Sequence, residues 1–323
     1  MCKAGGRSYE ISTCSPRTKD ILALVLTLPA YGWGDEGHRT VARIAARHLT
    51  LGARLKIATI IRAVPASQDE LHLRDLVGTK GTPSPGQIEH LMTTIATWPD
   101  HIPGGKKETA PWHFVDIGLF EGPDHMQERC GSGCVNQKIA EILQNLKSNK
   151  PLTRFSPDLE LRFLVHFMGD IHQPLHAATN ADAGANCVKA TGLVPSNELH
   201  AVWDTALVEL IIEGSEADAA GAIIKEFKDR QKELQALTDP DRIAADSFEL
   251  ARTAAYGKAI PAIPVIDHFV TAIPGKCDLE APPEINNVTV DAKASYDNAV
   301  TLSLIRQQLY MGGVRLAALL NGL

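Results

Sequence analysis

Apolar residues recur every three or four positions along most of the chain, a spacing that places them on one face of a helix. Within residues 38–51, Val41, Ile44, Ala45 and Leu49 follow this spacing. The same pattern predicts helices over residues 38–51, 135–146, 159–171, 196–212, 216–237, 241–256 and 292–319. Strict alternation of apolar and polar residues, which would predict strands, is scarce. We therefore predict a mainly α fold.

Segments rich in glycine and proline separate these helices. They predict loops over residues 78–86, 102–111, 178–195 and 260–283. None has the length and polarity of an interdomain linker, and we find no internal repeat. Residues 33–323 are therefore predicted to form a single compact multi-helix domain.

The first 32 residues differ from the rest. Ala30 and Gly32 are small residues at the −3 and −1 positions of a signal-peptidase site, just after an apolar run at residues 21–28. Four basic residues precede that run: Lys3, Arg7, Arg17 and Lys19. We predict that residues 1–32 are a signal peptide removed before Trp33, with an N-terminal anchor or a misassigned start as alternatives. The expected protein is secreted or periplasmic, monomeric and without stable membrane association.

The charge balance bears on possible partners. The 323 residues include 32 basic and 38 acidic side chains, a net charge of −6. Residues 1–32 hold four basic and two acidic residues, so their removal would leave 28 basic and 36 acidic residues and a net charge of −8. Such a chain lacks the basic surface typical of nucleic-acid binding, so bound metal ions would have to supply most of the attraction to phosphate.

Four of the six cysteines follow residues 1–32: Cys130, Cys134, Cys187 and Cys277. An even number in an exported chain favours two disulfides. Because the segment Cys130-Gly-Ser-Gly-Cys134 is flexible enough to close a small loop, we predict the pairs Cys130–Cys134 and Cys187–Cys277. The two other connectivities and reduced thiols remain alternatives.

A histidine and an aspartate stand four residues apart twice, at His166/Asp170 and His200/Asp204, and His176 follows the first pair. Four residues is about one helical turn, so both side chains of each pair can bind one metal ion. Imidazole and carboxylate ligands without thiolate suit a zinc ion that keeps open positions for hydrolytic chemistry. These residues predict a catalytic metal site.

Further candidate ligands come from separate motifs. Trp33 would begin the mature chain, and its free α-amine and carbonyl could chelate a metal beside His38. Asp100 and His113 are weak candidates alone, because a single histidine is more often packed or hydrogen-bonded than metal-bound. Together the predicted ligands number nine: Trp33, His38, Asp100, His113, His166, Asp170, His176, His200 and Asp204.

Five ordered segments carry a family resemblance: WGDEGH at 33–38, ATWPD at 96–100, HFVD at 113–116, HFMGDIHQPLH at 166–176 and NELHAVWD at 197–204. With them the chain resembles the zinc-dependent S1/P1 nuclease family, relatives of bacterial zinc phospholipase C, over essentially all of residues 33–323. The resemblance implies a mainly helical fold, three zinc ions and hydrolysis of single-stranded DNA and RNA to products with 5′-phosphates. It leaves open the preference between DNA and RNA and the extent of 3′-nucleotidase activity.

The resemblance also divides the ligands among three ions. Asp100, His113, His166 and Asp170 would hold one; Trp33, His38 and the shared Asp170 a second; His176, His200 and Asp204 a third. The first two ions would form a close pair. Asp170 as the shared carboxylate, and Asp100 as a group that orients the attacking water, are the predicted catalytic residues.

Phe114 and Asp116 match the family's nucleotide-binding positions, where a ring stacks on a base and a carboxylate accepts hydrogen bonds from its edge. Stacking tolerates any sequence but needs an unstacked base, which favours single strands. An ordinary core position is the alternative for Phe114. His172 lies among the ligands but faces away from His166 and Asp170, which predicts a structural role.

The chain departs from the family pattern at two positions. Pro103 stands where some fungal members carry a basic residue, and Thr205 where they carry an asparagine.

Two other functions are alternatives. A phospholipase C-like lipid phosphodiesterase would share much of the ligand set, but that branch typically has glutamate at the position of Asp204. A non-catalytic zinc-binding protein is disfavoured because the predicted ligands leave open metal positions.

Overall fold

The computed structural model describes residues 33–102, 108–131, 133–148, 155–259, 263–268, 271–272 and 276–323. The predicted signal peptide at residues 1–32 and Pro103 lie outside these ranges. The α-helices are α1 Asp35–Arg47, α2 Leu51–Arg62, α3 Leu73–Val77, α4 Pro85–Ala96, α5 Met126–Arg129, α6 Val135–Lys147, α7 Pro157–Asp170, α8 Leu199–Ala201, α9 Leu207–Glu209, α10 Glu216–Phe227, α11 Gln231–Leu234, α12 Pro240–Leu250, α13 Gly257–Ala259, α14 Cys277–Glu280, α15 Pro283–Asn286, α16 Ala292–Tyr296 and α17 Ala299–Asn321. The predicted mainly α fold is confirmed.

Tighter and wider helical turns complete the architecture. The 3-10 turns are Ala66–Gln68, Trp98–His101, Ala110–His113, Pro123–His125, Pro174–His176 and Lys228–Arg230. The two π-helical segments are Val202–Ala206 and Ala251–Tyr256. Several of these irregular turns carry predicted metal ligands, so much of the candidate site lies on backbone that leaves regular helical geometry.

Helix α1 lies at the centre of the packing and contacts α4, α7, α10 and α17. Its apolar face is fully buried, as Val41, Ile44 and Ala45 illustrate. Burying this face supplies the main driving force for docking the helix. The same packing fixes where the N-terminal part of α1, which carries His38, meets α7.

Helices α2, α3 and α4, near the N-terminus, were not predicted. The expected helix over residues 38–51 ends at Arg47, and α2 starts anew at Leu51 because the Thr50 side chain accepts a hydrogen bond from the Ala53 N–H. Helix α4 begins within the expected loop at residues 78–86, where Ser84 and Gln87 form reciprocal hydrogen bonds around the first turn. Both starts are set by N-terminal capping contacts.

The later helices are more interrupted than predicted. Residues 196–212 and 241–256 each contain a π-helical segment, and the helix expected over 216–237 gives way to a 3-10 turn at Lys228. The helix expected over 292–319 is split because Asn298 accepts a hydrogen bond from the Thr301 N–H and starts α17. Apolar periodicity continues across these breaks, so it could not reveal them.

The strands are short and form two parallel pairs. Strand β1, Ile117–Gly118, pairs with β2, Ala178–Thr179, and β3, Lys189–Thr191, pairs with β4, Thr289–Asp291. The first pair matters for the site, because β1 follows His113 and β2 follows His176. The Val115 N–H donates to the His176 carbonyl at 2.8 Å, which ties these two segments together.

Both predicted cysteine pairs lie at disulfide distance. Cys130 and Cys134 have Cα atoms 4.8 Å apart, and those of Cys187 and Cys277 are 5.3 Å apart. The second bridge spans 90 positions and links the loop after β2 to the C-terminal part of the chain.

Candidate metal centre

The first ligand cluster lies between α1 and α7. His166 and Asp170, one turn apart at the end of α7, are fully buried and face His38 of α1. The rings of His38 and His166 stack with centroids 3.9 Å apart, and His38 Nε2 lies 3.4 Å from Asp170 Oδ1. Ligand atoms of these three residues lie within 4.8 Å of one another, close enough to share one metal ion.

The second cluster shares His166 with the first. Asp100 lies on the 3-10 turn after α4, and His113 ends the turn that precedes β1. Asp100 Oδ1 lies 3.6 Å from His166 Nε2 and 3.8 Å from His113 Nδ1. His113 Nδ1 is also 3.0 Å from Asp170 Oδ2, so Asp170 faces both clusters.

The third cluster consists of His176, His200 and Asp204. His200 Nε2 lies 3.1 Å from Asp204 Oδ2, and the rings of His176 and His200 stack with centroids 5.1 Å apart. Asp204 belongs to the π-helical segment Val202–Ala206. Asp170 Oδ1 is 3.6 Å from His176 Nδ1, so the third cluster adjoins the other two.

Backbone carbonyls orient three of the imidazole rings. A carbonyl can only accept, so the Nδ1 that contacts it carries the proton and Nε2 is left with its lone pair for a metal. The pairs are His166 with Ala96, His176 with His113 and His200 with Gly184.

Several buried polar atoms at the clusters have no hydrogen-bond partner in the described part of the chain. They include both ring nitrogens of His38, Asp170 Oδ1 and Asp204 Oδ2. Buried polar atoms are ordinarily hydrogen-bonded, and these belong to side chains of the clusters. Imidazole nitrogens with carboxylate oxygens are a donor set that suits zinc, so the site fits metal ions.

The charges of the metal-free site are set by burial and by close neighbours. Burial lowers the pKa of His38 and His176. Burial also acts against protonation of His166, but the charges of Asp170 and Asp100 prevail and raise its pKa to about 9. Burial opposes the charge on Asp170 too, yet His166 and the other histidines hold the pKa of this carboxyl well below its ordinary value. Asp170 is therefore ionised.

His200 follows the same pattern in the third cluster. Burial would lower its pKa, but the charge of Asp204, whose Oδ2 lies 3.1 Å from His200 Nε2, raises the pKa to about 9. Metals bind neutral imidazole, so cation binding near neutral pH must displace protons from His166 and His200.

A glycine allows the close approach of α1 to α7. A Cβ atom at Gly169 would lie 2.6 Å from His38 Nδ1, a separation that real Cβ atoms do not reach. The residue before Asp170 therefore has to lack a side chain if the His38 ring is to keep its place.

A model of the S1/P1 nuclease family matches residues 33–323. The chain belongs to this family. Its relatives include Endonuclease 4 of Arabidopsis thaliana, 25% identical over 92% of each chain, and Nuclease P1 of Penicillium citrinum, 26% identical over 90% of this chain and 97% of the relative. Nuclease S1 of Aspergillus oryzae is 30% identical over 60% of this chain and 61% of its own length.

Membership makes the chain a nuclease, a hydrolase that acts on the phosphodiester bonds of nucleic acids. The three clusters gather all eight side chains predicted from this nuclease's His and Asp motifs. No helix in the described ranges combines the length and apolar character needed to cross a membrane.

Trp33 is buried beside the clusters of this nuclease. Its Cδ1 lies 3.6 Å from the position of a Cβ at Gly169, and the Gly34 N–H donates to the Asp204 carbonyl at 2.8 Å. The start of the described chain therefore lies beside Gly169 of α7 and is hydrogen-bonded to the backbone of Asp204. The role of the Trp33 amine and carbonyl stays a prediction.

Phe114 and Asp116 are half-buried on the segment between His113 and β1. Burial, followed by the charge of Asp182 and opposed by that of His200, raises the pKa of Asp116 to about 7. The structure places both residues beside the candidate ligand His113; their contact with a nucleotide stays a prediction.

Two residues beside the ligands were missed or assigned only a general role. The Gln173 amide donates to Asp204 Oδ1, and its Oε1 accepts the Leu175 N–H at 2.6 Å. Gln173 lies inside the motif that holds Asp170 and His176, but an amide gives no recognisable signal there. His172, predicted to be structural, is buried and packs on the side of Arg315, whose Nη1 is 3.0 Å from His172 Nε2.

Proposed function

We propose that this nuclease is a secreted or periplasmic enzyme that uses three zinc ions to hydrolyse single-stranded DNA and RNA, with 5′-phosphate products. One observation carries the proposal. Three His/Asp clusters adjoin one another around the buried carboxylate of Asp170 in a chain of the S1/P1 nuclease family.

Nine residues would hold the ions: Trp33, His38, Asp100, His113, His166, Asp170, His176, His200 and Asp204. When bound, zinc supplies Lewis acidity, which makes water a better nucleophile at neutral pH and offsets negative charge on phosphate. The chain is acidic overall, so this local positive charge also offers a reason why a polyanion approaches this surface.

The side chains have distinct tasks in this proposal. Asp170 faces both His38 and His113, so its two oxygens can serve neighbouring ions at once. Asp100 is the most accessible of the clustered carboxylates, with 10% of its side chain exposed, against 0% for Asp170. That position suits it to accept a hydrogen bond from the attacking water and to orient it.

Single strands are favoured because the proposed nucleotide site needs a free base. A base that stacks on Phe114 has to leave its duplex stack, which costs roughly a few kcal/mol. Asp116 would then accept or share hydrogen bonds with the base edge. Phe114→Ala should weaken binding of a short single-stranded oligonucleotide by about 1–3 kcal/mol if one base stacks there.

Maturation at Trp33 is part of the proposal, because an upstream peptide would convert the α-amine into an amide that no longer binds metal well. N-terminal sequencing and zinc analysis of the exported protein would test this. Full activity and zinc content in a stably folded form that retains residues 1–32 would contradict it.

Substrate class can be tested with the zinc-loaded protein on denatured DNA, native DNA, RNA and phosphatidylcholine at one salt concentration. We expect denatured DNA or RNA to be cut much faster than native DNA, with 5′-phosphate ends. Hydrolysis of phosphatidylcholine alone would support the lipid phosphodiesterase instead. Binding of zinc without hydrolysis of any substrate would support the non-catalytic alternative.

A further inference from the structure

The loop after β2 is buried and has an unusual backbone. Ala181, Ala183 and Ala185 have φ angles of 60°, 55° and 67°, in the left-handed region that residues with a Cβ rarely adopt. Gly184 shares this conformation with φ 62°. Such a conformation costs free energy and persists only where surrounding contacts impose it.

Asp182 supplies those contacts. Its side chain is fully buried, and Oδ1 accepts the Asn180 N–H at 3.0 Å and the Ala185 N–H at 2.9 Å. These donors lie on either side of Asp182, so one carboxylate oxygen closes the loop upon itself.

Tyr256 reaches the same oxygen from another part of the chain. Its hydroxyl donates to Asp182 Oδ1 at 2.9 Å. Tyr256 ends the π-helical segment Ala251–Tyr256, a rare geometry that often occurs at functional sites. Burial and the nearby Asp182 charge raise the pKa of Tyr256 well above its ordinary value, so the phenol stays a donor.

The loop meets the third cluster through a single peptide group. The Ala185 N–H that donates to Asp182 belongs to the same planar unit as the Gly184 carbonyl, which accepts from His200 Nδ1. His200 also donates its backbone N–H to the Ala185 carbonyl at 3.3 Å. Tyr256, Asp182, this peptide and His200 therefore form a continuous chain of hydrogen bonds.

We propose that Asp182 and Tyr256 are positioning residues for the third metal site and act on the imidazole of His200 through the peptide between Gly184 and Ala185. The carboxylate holds the peptide plane and polarises it, which strengthens the Gly184 carbonyl as an acceptor. A stronger acceptor at Nδ1 fixes the ring and makes Nε2 a better ligand, as a directly bonded carboxylate does in many metal sites.

This inference rests on the proposed binding of zinc by His176, His200 and Asp204. The test measures zinc stoichiometry and affinity by competition with a chelator, using the zinc-loaded protein and variants Asp182→Ala, Asp182→Asn and Tyr256→Phe. In Asp182→Ala, one of three ions should bind about 10–100-fold more weakly while the other two keep wild-type affinity.

The milder variants separate positioning from folding. Tyr256→Phe removes one hydrogen bond to Asp182 and should weaken binding of the same ion by about 10-fold. Asp182→Asn keeps an oxygen at the Oδ1 position and should recover most of the affinity lost in Asp182→Ala. Should Asp182→Ala fail to fold, Tyr256→Phe still decides the question.

Tyr310→Phe is a matched control, because this fully buried hydroxyl of α17 has no hydrogen-bond partner among the described residues. It should retain all three ions at wild-type affinity. Wild-type protein that binds fewer than three zinc ions would contradict the proposed function. Three ions in the wild type, with unchanged affinity in both Asp182→Ala and Tyr256→Phe or with equal weakening of all three ions, would overturn the positioning role.

Discussion

Two of the three clusters of candidate ligands lie in regions that are built in different ways. His38, His166 and Asp170 project from the regular helices α1 and α7, so helical geometry and core packing set their directions. His176, His200 and Asp204 come from a 3-10 turn, a single helical turn and a π-helical segment. Individual hydrogen bonds orient the side chains of the second set. A substitution that removes one of these bonds should therefore disturb the third cluster more than the other two clusters.

Asp170 faces two clusters and Asp204 belongs to one, so their replacement gives the largest expected contrast. Asp170→Asn should lower the rate on single-stranded DNA by on the order of 10⁴-fold, and Asp204→Asn by on the order of 10²-fold, because a metal ion contributes several kcal/mol to catalysis. Steady-state rates and zinc content per chain would measure both.

Asp267→Asn is a suitable control, because this carboxylate is 96% exposed and stands outside the three clusters. It should keep three zinc ions and the wild-type rate. Near-normal activity with full zinc content in Asp170→Asn would show that this residue is not shared between ions.

Removal of zinc should destabilise the two regions to different extents. Each ion bound only by the folded state stabilises it by about 4 kcal/mol at a thousandfold excess over Kd, so chelation should lower Tm by roughly 8–16 °C for each ion removed. Amide hydrogen exchange should increase more over residues 176–204 than in α7, which is also held by the packing of its buried apolar residues. Equal increases in both regions would remove the distinction.

Two glycine substitutions test the regions separately. Gly169→Ala should disturb His38 in the first region, since its Cβ would meet Nδ1 at 2.6 Å, and should lower the free energy of unfolding by about 1–3 kcal/mol. Alanine favours a helix by ~1 kcal/mol over glycine, so any loss reports this contact.

Gly184→Ala should act on the third cluster instead. A Cβ there would lie 2.8 Å from the Leu175 carbonyl, on a backbone already at φ 62°. We expect a loss of about 1–2 kcal/mol and selective weakening of one zinc ion. Loss of the same ion in both glycine variants, measured by zinc titration, would contradict the separation of the regions.

A pH-dependent effect is expected at Asp116, whose pKa is raised from 3.8 to about 7. The folded protein then retains a proton that the unfolded chain releases, so this group's contribution to stability falls as pH rises from about 4 to 7. Asp116→Asn should gain Tm relative to the wild type over that interval and keep a constant difference above it. The gain should shrink with zinc bound, because a cation near His200 lowers the pKa of Asp116. A Tm difference independent of pH would count against this protonation.

Local signals in the sequence accounted for much of the fold and site. Helical spacing identified α7 and the His166/Asp170 pair, since both depend on neighbours within one turn. The start of α4 was also encoded locally, in Ser84 and Gln87, but the loop-forming residues around it obscured it. The split before α17 at Asn298 followed the same capping chemistry within a continuous apolar pattern.

The helical class, the family and the types of candidate ligand could be predicted from the sequence, because these depend on short-range periodicity and on ordered motifs. The folded structure was needed to show that Asp170 faces both His38 and His113, which are separated from each other by 75 positions. The contacts of Tyr256 with Asp182 and of Asp182, through one peptide, with His200 also required the folded structure. Such contacts arise when distant segments dock to bury apolar surface, and no local pattern records which atoms then meet.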